Sequence, residues 1–336
     1  MAATAAPVVG PPALVQTPGP TASDRVSAPS PTPPRAPQQG APEGMSLDEN
    51  RLGFLMVVPA LVLMLVVAAY PLMKAIWLSM HSYNVKVPQD TAFIGLDNYT
   101  RILASPHWWE AVTTTLTFTV ASVGIEFALG LAMALVMNKA FGAWTGVIRV
   151  AVLVPWATIT VVTALAWKWI FTPDLTLAPL RGFLGLFVED ACMLCGHWSA
   201  LMAMVFADVW KTAPFIALLL LAGLQSVDNE MYEAADVDGA SKRTKFLRIT
   251  LPALKPAILV ALLFRTLDAF RMFDLAYLMT GGANRTETVS MLAYDHLIKR
   301  LNMGLGSAMS VLIFLMVLVI AVFYTKVLGA NPREGK

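Results

Sequence analysis

Four charged residues, Arg265, Asp268, Arg271 and Asp274, recur at every third position of an otherwise apolar stretch. On a helix, residues three apart share a face, so guanidinium and carboxylate could pair in alternation. A charge inside a membrane span costs about 2.5–3.5 kcal/mol on insertion scales, which turns it toward a bundle interior or a water-filled cavity. Two chemistries fit. The face lines the path of a polar solute or braces its gate, or it is a structural ladder against a partner chain. Phe270, Phe273 and Tyr277 lie on the same stretch and would add aromatic faces, although such rings in a membrane helix also serve as packing. Glu126 and Asp208 are carboxylates within two other apolar stretches. Polar pairing is their simpler role, and a proton relay is the alternative.

A second constellation is Glu233-Ala234-Ala235-Asp236-Val237-Asp238-Gly239, followed by the basic stretch Lys242 to Arg248 and then Ile249-Thr250-Leu251-Pro252. Asp228 can cap a short helix from about Asn229, because its side chain can accept from a free backbone N–H of the first turn. Ala234 and Ala235 favour helix and have little bulk, so another surface can approach. Gly239 can end the helix in a left-handed conformation. Lys242 to Arg248 then predict a basic second helix, with Pro252 and Pro256 turning the chain back into the membrane. The loop, about 225–254, is expected to be two helices with a corner, and an ordinary interfacial helix pair would look similar.

These groups must be positioned by membrane helices. Of the 336 residues, 57% are hydrophobic and 14% are charged, where soluble domains carry about 25% charged. Apolar runs near 53–80, 110–137, 146–171, 199–223, 255–280 and 306–328 are each long enough to span, which takes roughly 20 residues. The fold class is therefore all-α and polytopic. The short alternating segments of a membrane barrel are not visible. Residues 1–46 are rich in Pro and Ala and predict a disordered tail without the pattern of a secretory signal. Lys and Arg concentrate in the segments that become cytoplasmic if the N-terminus is inside, such as Lys139, Arg149 and Lys242 to Lys255, which places both termini in the cytoplasm. Trp77, Trp108, Trp109, Trp167, Trp169 and Trp198 then fall near the outer ends, as indole rings at an interface should. His81, His107, His197 and His296 also map outside and read as solvated loop residues. Cys192 and Cys195 form one CxxC with no second pair at zinc spacing, so an exposed disulfide or two idle thiols are expected.

The spacing Glu-Ala-Ala, three residues, Gly, nine residues, Ile-x-Leu-Pro resembles the EAA loop of ABC importer permeases without a gap. The likeness covers about residues 50–330. The stretch Phe264 to Asp274, with Tyr277, Thr280, Gly281 and Gly282, is similar to the MalF-type permeases of the carbohydrate-uptake group. Within that group it looks nearest to the trehalose-importing members. It lacks the large extracytoplasmic insert of the enteric maltose permease. The resemblance implies a six-helix type I importer domain in a bacterial cytoplasmic membrane. It implies that Tyr232, Glu233, Ala234, Ala235, Asp238 and Gly239 form a coupling helix that docks in a cleft of the ATPase. The implied partners are a second permease of the MalG type, two ATPase subunits that bind ATP and Mg, and an extracytoplasmic sugar-binding protein or lipoprotein. A disaccharide, trehalose first, is the implied cargo. Maltose-like oligosaccharides and glycerol phosphodiesters are the alternatives within the family, and an ion-coupled carrier is the alternative outside it.

The sequence has no G-x-x-x-x-G-K-[ST] loop, no nucleophile–base set and no metal-ligand cluster. No enzymatic activity, no cofactor in this chain and no nucleic-acid partner are expected. The expected work is rigid-body switching of packed helices, driven from outside the chain.

Overall fold

The computed structural model describes residues 46–139, 145–172 and 192–327. Of the tails expected from the sequence, residues 1–46 and 331–336, all but Ser46 lie outside the described residues.

Helix α1 covers Ser46–Met64. A π-turn at Leu65–Ala69 precedes α2, Tyr70–Ser79. Proline lacks the N–H that an α-helix uses, so a widened turn just before Pro71 absorbs the missing bond. Strands β1 (His81–Ser82) and β2 (Ala92–Phe93) pair antiparallel, His81 opposite Phe93. Asn98, on α3 (Asp97–Leu103), donates to Ser79 O and His81 O and pins that hairpin to the helix.

Helix α4 covers Pro106–Asn138 and packs along α7, His197–Gln225. Gly130 makes this approach possible: a Cβ there would lie 2.6 Å from Ile216 Cγ2. Between them in sequence come α5 (Thr145–Ala157) and α6 (Thr160–Phe171), bent by 86° at their junction. The bend follows Pro155, whose missing N–H weakens the ladder there. After α7 come α8 (Asn229–Val237) and α9 (Lys242–Lys245). A second π-turn, Phe246–Thr250, leads into α10, Leu251–Phe270. Helices α11 (Asp274–Met279), α12 (Val289–Tyr294) and α13 (Met303–Val327) complete the chain.

Among the described residues, five helices are long and apolar enough to span a membrane, and the bent pair α5–α6 makes a sixth. Side chains such as Val66, Val67, Met73, Val319 and Phe323 stay exposed, as lipid-facing residues do. The expected fifth span needs correction at both ends. It runs from Lys242 to Phe270, not 255–280. Pro252 does not turn the chain, because the π-turn before it lets the helix run straight through. At the other end the helix stops at Phe270, and Phe273 leaves helical geometry at φ −126°. Trp108 is a second correction: only 2% exposed, it packs in the core with Ile102, Phe270 and Val289 and does not sit at the interface.

Candidate functional site

Three carboxylates within the spans converge on one guanidinium. Arg265, on α10, donates from Nε to Glu126 Oε2 at 2.7 Å and from Nη2 to Glu126 Oε1 at 2.8 Å. Nη2 also reaches Asp208 Oδ2 at 2.8 Å, and Nη1 reaches Asp268 Oδ2 at 2.5 Å. Glu126 is on α4 and Asp208 on α7, so Arg265 ties three helices. Ser122 offers its hydroxyl to Glu126 at 2.9 Å and Asp208 at 2.6 Å, and Thr212 donates to Glu126 at 2.5 Å. Arg265 is 3% exposed and Glu126 0%, while Asp268 is 71% exposed. A planar five-donor cation suits this task, because its fork matches several carboxylates at once.

The ladder expected along residues 265–274 reduces to one rung. Arg265 pairs with Asp268, but α10 ends before Arg271, whose Nε donates to Leu267 O at 3.2 Å. Asp274 opens α11 and stands off the helix face that the i, i+3 pattern assumed.

Arg265, Asp268, Arg271, Phe273 and Asp274 nevertheless line one cavity of about 380 Å³, together with Asp208, Lys211 and Thr160. Thr160 is the first residue of α6, just past the bend, and Lys211 Nζ donates to its hydroxyl. Irregular backbone at membrane depth is tolerated where it is buried in protein or lines a water-filled space. Phe270 lies elsewhere, 1% exposed in the apolar cluster with Trp108 and Leu292. Tyr277 stacks on Phe273 with centroids 5.2 Å apart, and both rings meet Tyr294.

The loop at 225–254 forms a corner. Asp228 caps α8, accepting from Glu230 N at 3.0 Å. Gly239 has φ +69°, and Ala240 N donates to Ala235 O at 2.9 Å, which closes the helix end. Two contacts lock the corner: Lys245 Nζ to Asp236 Oδ1 at 2.5 Å, and Tyr232 to Thr250 through their hydroxyls at 3.0 Å. Tyr232 therefore braces the corner. Glu233, Ala234, Asp238 and Gly239 are exposed, and Ala235 is half-buried. Val237 is 89% exposed and Met231 50%. With Ala234 between them they form a bare apolar stripe.

Residues 126–330 match the family described as binding-protein-dependent transport system inner membrane component. This chain belongs to that family. It is 49% identical, over 87% of its length and 94% of the relative's, to the trehalose transport system permease protein SugA of Mycobacterium tuberculosis. It is 41% identical, over 83% and 94%, to the trehalose/maltose transport system permease protein MalF of Thermococcus litoralis. The fold matches a chain of a bacterial ABC transporter involved in import of the acidic polysaccharide alginate, with TM-score 0.71 at 21% identity, covering 84% of this chain and 96% of that one. The protein is thus a permease subunit of an ABC importer, and its six-span reading agrees with that architecture.

In this permease the sequence pattern singled out Glu126 and Asp208 only as isolated carboxylates, because nothing local says which cation they meet. Lys211, Thr160, Ser122 and Thr212 were missed for the same reason. Val237 and Met231 could have been found from their spacing on α8, three on either side of Ala234. Three of the four histidines keep solvent exposure, as expected, and each also makes one polar contact. His81 Nδ1 meets Trp77 O at 2.7 Å, His107 pairs with Glu287 at 2.8 Å, and His197 Nδ1 meets Asn284 O at 3.0 Å. His296 is half-buried with Nδ1 unpartnered, and burial together with Arg300 lowers its pKa against the pull of Asp295. Cys192 and Cys195 are joined as a disulfide. The described residues contain no group of three potential metal ligands.

Proposed function

We propose that this permease imports a disaccharide, with trehalose the first choice. The observation that carries this reading is the 49% identity, over nearly the whole chain, to a trehalose permease. The cavity chemistry supports it. Arg265, Lys211 and Arg271 stand against Asp208, Asp268 and Asp274. There is no surplus of cations for a phosphate or sulfonate group, whereas a neutral polyol can use both donors and acceptors. Asp268 is the residue best placed to take a sugar hydroxyl, because it lines the cavity, Arg265 holds its Oδ2, and its side chain is still largely exposed.

In this reading a second permease of the MalG type completes the path, and an extracytoplasmic binding protein delivers the sugar. Two ATPase subunits, which bind ATP and Mg, receive α8 in a cleft. Glu233, Ala234 and Ala235 dock there beside the bare stripe Met231–Ala234–Val237, and Gly239 holds the corner that transmits their movement. Both termini are cytoplasmic. The sugar shifts the switching equilibrium only through its different affinity for the two states, so delivery to the outward state sets the direction.

The test is uptake of labelled trehalose by cells with and without this chain, with unlabelled maltose and glycerophosphocholine as competitors. Uptake that disappears with the chain and is blocked only by trehalose supports the proposal. Unchanged trehalose uptake overturns the cargo and leaves the family assignment standing.

A further inference from the structure

The loop after α11 contains two consecutive residues, Asn284 at φ 55° and Arg285 at φ 59°, in the left-handed region that side chains other than glycine rarely adopt. Strain of this kind persists only where the surroundings over-determine it, and it gathers at functional surfaces. Here three clamps impose it. Asn284 Nδ2 donates to Leu194 O at 2.8 Å, inside the turn closed by the Cys192–Cys195 disulfide. His197, at the start of α7, holds Asn284 O at 3.0 Å, and Thr114 on α4 donates to Arg285 O at 3.1 Å.

The clamped turn faces the first turns of α4. His107 there pairs with Glu287 at 2.8 Å. Glu110, one turn further along α4, and Arg285, two residues before Glu287, do not pair. Both side chains are exposed and have no hydrogen-bond or ion-pair partner among the described residues. Between them lies a groove of about 390 Å³, walled also by Trp109, Thr113, Thr114 and His197. Trp109 is half exposed, and its Nε1 is committed to Leu103 O at 2.8 Å, so the indole is fixed with a bare face.

We infer that this groove is where the extracytoplasmic binding protein docks, receiving a surface loop that sets an acidic side chain at Arg285 and a basic one at Glu110. This rests on the orientation and partners given under the proposed function. The family is binding-protein-dependent, so such a partner must find this face and leave it in every cycle. Exposed rim charges of both signs serve that need, because they speed and orient encounter while adding little residence time. A sugar is the poorer occupant, since small-molecule sites enclose most of the ligand and the charged walls here are exposed.

The experiment uses the complete transporter in lipid nanodiscs, titrated with its sugar-loaded binding protein while ATP hydrolysis is followed. Arg285→Glu and Glu110→Lys should each raise the half-maximal concentration of binding protein by about tenfold at low salt. Basal hydrolysis should be unchanged, and the difference should shrink at high salt. Glu110 lies on an exposed helical turn, so Glu110→Lys carries the test if Arg285→Glu fails to assemble. Half-maximal concentrations within about twofold of wild type at low salt overturn the inference. So does loss, in Arg285→Glu, of labelled-sugar binding to the transporter alone, which would make the groove a sugar subsite. A wrong cargo is distinguishable: it abolishes stimulation of the wild type, whereas a wrong groove leaves stimulated variants equal to wild type.

Discussion

Lys245 and Arg265 each meet carboxylates at similar distances, 2.5 Å to Asp236 for the first and 2.5–2.8 Å to three partners for the second. Their surroundings differ. Asp236 is 63% exposed on the loop corner, while Glu126 is wholly buried between helices. Water reaches Asp236, though Lys245 is only 19% exposed, and so screens the first pair from one side. The second pair has no water to turn to, and among the described residues Arg265 is the one cation bonded to Glu126, so removing the guanidinium strands a buried carboxylate. Equal geometry therefore does not mean equal worth: the corner is shaped mainly by backbone, through Gly239, and the knot mainly by charge.

The largest effect expected from this contrast is at Arg265. Arg265→Met leaves Glu126 and Asp208 facing each other without a cation, which should destabilise the chain by about 3–5 kcal/mol. Its level in membranes and its assembly with partners should fall together. A stable Arg265→Met would mean that the knot is not what joins α4, α7 and α10.

The two regions also use glycine differently, and substitutions can separate the reasons. Gly130→Leu pushes carbon into Ile216 and should lower thermal stability by about 1–3 kcal/mol. Gly239 has open space around the position of a Cβ, so only its φ resists substitution. Gly239→Val should insert normally yet uncouple uptake from ATP hydrolysis, at a local strain of about 1–2 kcal/mol. Gly239→Asn, which tolerates the left-handed region, should retain most uptake. If Val and Asn behave alike, backbone geometry is not what the corner supplies.

Smaller still is Lys245→Ala, which removes a partly exposed pair worth about 1 kcal/mol or less. Uptake should drop less than in Gly239→Val, and the remaining effect should vanish at high salt. The smallest effect concerns pH at His296. His296 has a folded pKa below its ordinary 6.5, so the unfolded chain binds the proton more readily. That contribution is complete above pH 6.5 and is lost as pH falls below it toward the lowered value. Hydrogen exchange in 289–300 should therefore quicken modestly on acidification in this window, and His296→Gln should remove the dependence. Asp295 has its pKa lowered by Arg300 and Lys299 although burial opposes them. It remains charged throughout that window and does not confuse the reading.

Much of the architecture was legible along the chain. Hydropathy and length are sums over neighbouring residues, so the spans, the Asp228 cap and the Gly239 corner could be read locally. The i, i+3 spacing of residues 265–274 misled because it presupposed one unbroken helix. The break at Phe270 depends on α11 packing against α6, a contact between residues far apart in sequence. Trp108 misled similarly, since an indole near a helix end is interfacial unless another helix covers it.

By itself the sequence determined that this is a six-span permease with a glycine corner in the loop before the fifth span, because apolar length, turn chemistry and the EAA spacing are properties of contiguous residues. Only the tertiary structure decided that Arg265 belongs to Glu126 and Asp208, that Lys211 reaches Thr160 across the bend, and that Glu110 and Arg285 are left without partners among the described residues. Pairing in a low-dielectric interior is settled by which side chains the helix packing brings within 3 Å, and separation along the chain carries no record of that distance.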